Sequence, residues 1–101
     1  MENGNLAEYD SQAVRAAARK LRSCGQSLES GTQPKLRSIQ NGIPDHLEGA
    51  AASALQQRMS VLDTDIRTVI GGINSLARAL ERYAEELDRT AERLKQQMAQ
   101  N

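Results

Sequence analysis

Residues 55–87 read LQQRMSVLDTDIRTVIGGINSLARALERYAEEL, and this stretch decides the fold. Leu55, Met59, Leu62, Ile66, Val69, Ile73, Leu76, Leu80, Tyr83 and Leu87 follow one another in steps of four and three without a miss. That alternation is the a/d pattern of a helix laying one apolar stripe against other helices. Thr90 or Ala91, then Leu94 and Met98, extend it more weakly toward the C-terminus. The opposite face is charged, with Asp63/Arg67 and Glu85/Arg89 spaced i,i+4, acid first, the favourable order on a helix. Gly71-Gly72 interrupts the composition but not the phase, with close helix approach and local flexibility as two readings. The spacing predicts a second helix from about residue 50 to 98.

A shorter stripe precedes it. Val14, Ala17, Leu21, Cys24 and Leu28 also step by three and four. Asp10 or Ser11 offers an N-cap ahead of it. The phase breaks after Leu28, where Gly31 and Lys35 fall on the stripe and the apolar residues become Leu36, Ile39 and Ile43. Pro34 sits in this break and lacks the N–H that would bond the carbonyl of Ser30. A first helix from about 11 to 40, kinked or interrupted at 31–34, is expected. Asn41-Gly42 is its expected stop, because Gly accepts the left-handed conformation after a helix. Residues 41–49 form the turn, with Pro44 ahead of an Asp45/Glu48 capping box. Residues 1–9 are polar and aperiodic and read as a flexible arm.

Composition agrees with this all-α reading. The 101 residues include fourteen Ala, two Tyr, no Trp and no Phe, so the core is built from small and aliphatic side chains. A single helical-hairpin domain over 1–101 is the expected organisation. At 1.5 Å per residue the first helix spans about 45 Å and the second about 75 Å. A short turn makes them antiparallel neighbours, and the shorter one covers its partner only to about residue 80. The stripe beyond it needs a second chain, since a buried Leu is worth roughly 1.5–3 kcal/mol. The expected architecture is an antiparallel two-helix hairpin that dimerises into a four-helix bundle. The predicted stripe for core and dimer packing comprises Val14, Leu21, Leu28, Leu55, Met59, Leu62, Ile66, Val69, Ile73, Leu76, Leu80, Leu87 and Leu94.

Charge and residue counts exclude several functions. Thirteen basic and thirteen acidic residues give a net charge of +0, against the basic surplus of a nucleic-acid binder. One Cys and one His make neither a disulfide nor a usual zinc site. Cys24 on the stripe reads as a small buried hydrophobe, and His46 as an exposed turn residue. The acidic pairs Asp63/Asp65 and Glu85/Glu86, and the basic group Arg15, Arg19, Lys20 and Arg22, read as solvated faces. A thin helical hairpin offers no deep pocket for an enzyme, and neither metal nor cofactor is expected. Met1-Glu2-Asn3-Gly4-Asn5-Leu6 lacks a basic, then apolar, Sec-type leader, and no run approaches the ~20 apolar residues of a membrane span. The expectation is a soluble chain, exported, if at all, by a route without a Sec signal.

The turn carries a resemblance. Leu47-Glu48-Gly49-Ala50-Ala51 lies near the middle of a chain of about 100 residues, between two helices. This resembles the WXG100 (ESAT-6-like) family, marked there by W-x-G-x-A. Leu47 stands in the Trp position, while Gly49 and Ala51 match. The resemblance implies a small dimeric four-helix-bundle protein exported by a type VII (ESX-like) secretion system, driven by a membrane-bound ATPase: cytoplasmic before export, then extracellular or at the cell surface. It also implies a Y-x-x-x-D/E signal late in the second helix. Here Tyr83 is followed by Glu86 at +3 and Asp88 at +5, with Leu87 at +4. Either recognition is degenerate, or the chain travels with a partner that carries the signal. A homodimer is expected, with a heterodimer of a related helical protein, or of the helical domain of a larger effector, as the alternative. A structural coiled-coil adaptor or assembly subunit without a secretion role is the competing function.

Overall fold

In the computed structural model, which describes residues 10–100, the chain is all helix: α1 (Ser11–Ser27), a π-helical turn (Leu28–Thr32), α2 (Gln33–His46) and α3 (Gly49–Gln100). Asp10 is the N-cap of α1. Its Oδ1 accepts the N–H groups of Gln12 at 3.1 Å and Ala13 at 3.2 Å, two of the donors a helix start leaves unpaired.

The expected interruption after Leu28 is a π turn over Leu28–Thr32. The π turn carries the chain from Leu28 to Gln33, whose N–H bonds back to the carbonyl of Leu28, five residues earlier. One extra residue per turn resets the phase. On one side of it Gly25 and Leu28 face inward, and on the other Gln33, Leu36, Gln40 and Ile43 do. Pro34 falls at the start of α2, directly after the π turn.

The first arm also runs further than the sequence suggests. It passes Asn41-Gly42 and ends at His46, so residues 41–46 are helical, and the turn shrinks to Leu47-Glu48. Pro44 lies in the last turn of α2, where its missing N–H costs a single intrahelical bond. Asp45 is consequently inside α2 and does not cap α3. The reversal is made by an extended Leu47 (φ −137°, ψ 148°), whose N–H bonds the carbonyl of Ile43 at 2.9 Å, and by Gly49 at φ +71°. That φ lies in the left-handed region that glycine adopts without a Cβ clash. The arm expected over residues 1–9 lies outside the described residues.

The chain forms two compact units. One comprises residues 1–22 with 75–101, and the other residues 23–74. In each, a stretch of the first arm runs antiparallel to a stretch of α3, as the rising and falling residue numbers of their paired side chains require. No helix among the described residues is long and apolar enough to cross a membrane.

Candidate interaction surface

In the unit of 1–22 and 75–101, two ion pairs join the arms. Arg15 Nη2 donates to Asp88 Oδ2 at 2.6 Å. Arg22 donates twice to Glu81, Nε to Oε2 at 2.9 Å and Nη2 to Oε1 at 2.7 Å. The hydrogen bonds from Arg22, opposed by partial desolvation and aided by the charges of Arg22 and Arg78, hold the Glu81 carboxyl below its ordinary range. The same bonds raise the Arg22 guanidinium. The two rungs bracket Ala18 on α1 and Ala84 on α3. Ala77 and Ala84 are 0% exposed, and Ala18 is buried with Leu87 and Ser11. The seam of this unit is therefore made largely of alanine, which lets backbones approach closely but buries little area per residue.

The ladder lies to one side of that seam. On a helix, residue i+4 is rotated about 40° one way from residue i, and residue i−1 about 100° the other way. Glu81 and Asp88 are four residues beyond Ala77 and Ala84; Leu76 and Tyr83 are one residue before them. The apolar pair thus occupies the flank opposite the ladder, and each of its members is 52% exposed. Counting from Ala18 in the same way, Arg15 and Arg22 take the ladder side of α1. Val14 and Leu21, half-buried, and Ala17, exposed, take the other. One flank is tied by charge; the other presents apolar side chains from both arms, of which Leu76 and Tyr83 are exposed. Further along α3, Leu94 and Met98 are also exposed.

The unit of 23–74 repeats this division. Gln33 Nε2 donates to Asp63 Oδ1 at 3.3 Å, and Gln40 Nε2 to Ser60 Oγ at 3.1 Å. Asp63 Oδ2 also lies 2.9 Å from Arg67 Nη2, the i,i+4 ion pair of the charged face. Ile43 and Ile70 are buried, with Met59, Ile66, Ile73, Leu36, Leu28 and Leu55 half-buried beside them. On the side away from Gln33 and Gln40, Ile39, Leu62 and Val69 are exposed. Gly25 is buried, and a Cβ there would lie 3.4 Å from Ile73 Cγ2 and Asn74 Oδ1. Gly71 and Gly72 meet nothing within 4 Å, so close approach inside this unit is not their reason. Cys24 is exposed, not buried, because the adjacent Gly25 takes the inward position.

The structure thus separates residues that the sequence places on one stripe. Met59, Ile66, Ile73, Leu80 and Leu87 are half-buried or buried, whereas Leu62, Val69, Leu76 and Leu94 are exposed and do not belong to the seams of their own units. The inward line of α3 is Met59, Asp63, Ile66, Ile70, Ile73, Ala77, Leu80, Ala84, Leu87 and Ala91. It too steps by four and three. Met59, Ile66, Ile73, Leu80 and Leu87 belong to the predicted stripe; Asp63, Ile70, Ala77 and Ala84, spaced by seven, lie outside it.

The turn residues Leu47, Gly49 and Ala51 stand exposed at the reversal, with Leu47 beside Ile39, Ile43 and Leu55 around a shallow open depression. Of the late α3 residues, Tyr83 and Glu86 are exposed, while Asp88 is engaged by Arg15. Among the described residues no group of three or more His, Cys, Asp or Glu is arranged to hold a metal. The family model "WXG100: Proteins of 100 residues with WXG" matches residues 7–97. Comparisons with curated proteins and with solved structures give no match. With nine-tenths of its length matched and a glycine-dependent reversal between two helical arms, the chain belongs to the WXG100 family.

Proposed function

We propose that the chain works by protein–protein interaction, pairing with a second copy through its apolar flank to form a four-helix bundle that a type VII secretion system exports. Membership of the WXG100 family makes it a small helical protein associated with type VII secretion. The observation that carries the finer reading is the uncovered flank: Leu76 and Tyr83 in one unit, Leu62 and Val69 in the other, all on the side free of ladder contacts. Exposed apolar side chains grouped on one flank of a unit mark interaction sites. Zero net charge poses no barrier to self-pairing. In this reading the second copy covers Tyr83, Glu86 is presented to the secretion ATPase late in α3, and the turn of Leu47, Gly49 and Ala51 sets the reversal between the arms. The exported bundle is substrate or co-secreted partner, and its role is that of a binding protein, not an enzyme.

The test is export from a host with an intact type VII system. Wild type is expected in the culture medium and Glu86→Ala is expected to stay in the cells at normal cellular abundance, as a dimer. Equal export of both chains contradicts the assignment of Glu86. A heterodimeric escort is the outcome if wild type leaves the cell only when a second helical protein is co-expressed.

A further inference from the structure

Pro44 removes a hydrogen bond from the last turn of α2. A proline has no N–H, so the carbonyl four residues back, that of Gln40, loses its intrahelical donor, and the ring pushes that carbonyl outward. The carbonyl is nonetheless paired. Gln56, on α3, donates from Nε2 to the Gln40 oxygen at 3.1 Å. One turn along α3, Ser60 Oγ accepts from the Gln40 side-chain amide at 3.1 Å. The residue that Pro44 disturbs is therefore held to α3 by its backbone and by its side chain. Gln40 and Gln56 are both half-buried, where a polar group left unpaired costs more than one in open water.

We propose that Gln56 is a positioning residue for the turn. Its amide replaces the bond that Pro44 removes, and so fixes the end of α2 at His46 and the stance of Leu47 and Gly49 after it. This role is independent of what the protein pairs with and of whether it is exported. It makes Pro44 and Gln56 a coupled pair: a residue with an N–H at position 44 supplies the donor from the backbone, and the Gln56 amide becomes redundant.

Four full-length chains test this by amide hydrogen exchange: wild type, Gln56→Met, Pro44→Ala and the double variant. Methionine keeps the length and apolar contact of Gln56 but has no donor. The reporter is the Leu47 N–H, which closes the helix end on the Ile43 carbonyl at 2.9 Å. Gln56→Met is expected to exchange about fivefold faster than wild type at this amide, the net effect of one hydrogen bond. Pro44→Ala and the double variant are expected to exchange alike. Wild-type exchange in Gln56→Met overturns the proposal. So does the same acceleration in both backgrounds, which assigns the effect of Gln56 to packing and not to the carbonyl that Pro44 frees.

Discussion

Arg22 and Glu81 meet in a two-point hydrogen-bonded pair, at 2.9 Å and 2.7 Å, across the arms of one unit. This geometry matches the planar fork of a guanidinium to a carboxylate, and with Arg15–Asp88 it ties one flank of that unit and leaves the other to apolar side chains.

The pair gives stability a defined acid dependence. The folded pKa of Glu81 is lowered, so its contribution is fully present above the unfolded value of about 4.3 and is lost as pH falls through the lower folded value. Glu81→Gln is expected to show a smaller drop in urea midpoint between pH 7 and pH 3 than wild type, followed by circular dichroism at 222 nm. An unchanged drop contradicts the pairing.

Gly71 and Gly72 sit inside α3 with open space where a Cβ would go. Each costs about 1 kcal/mol relative to alanine in a helix interior. Gly71→Ala/Gly72→Ala is therefore expected to raise unfolding free energy by roughly 2 kcal/mol, measured by urea titration. A loss of stability means that another chain approaches the backbone there.

Gly49 behaves oppositely. At φ +71° an alanine incurs the left-handed penalty of about 1–2 kcal/mol, although open space surrounds the site. Gly49→Ala is expected to lower the urea midpoint accordingly, and a neutral result contradicts the turn geometry.

How much of this was legible in the sequence follows from which physical signal each feature emits. The helical period, the antiparallel reversal at Gly49 and the cap at Asp10 are written in spacing and residue type. The end of α2 was not: Asn41-Gly42 and Pro44 are local stop signals, overridden because the arm's last turn still packs Ile43 inward. The π turn was visible only as a lost phase after Leu28. The seam was half visible: Met59, Ile66, Ile73, Leu80 and Leu87 belong to the predicted stripe and turn inward, while Asp63, Ala77 and Ala84 are poor hydropathy markers. The row of Leu62, Val69, Leu76 and Tyr83, also on that stripe, faces away from the seam.

The central claim is that a second copy covers this outward row. Sedimentation equilibrium of wild type and of Leu76→Glu/Tyr83→Glu tests it most directly. Because both residues are half exposed in the single chain, the substitutions leave its helices intact, checked at 222 nm. Wild type is expected at about twice the 11.1 kDa chain mass, and the variant at the mass of one chain. A monomeric wild type, or a variant that dimerises as wild type does, contradicts the account.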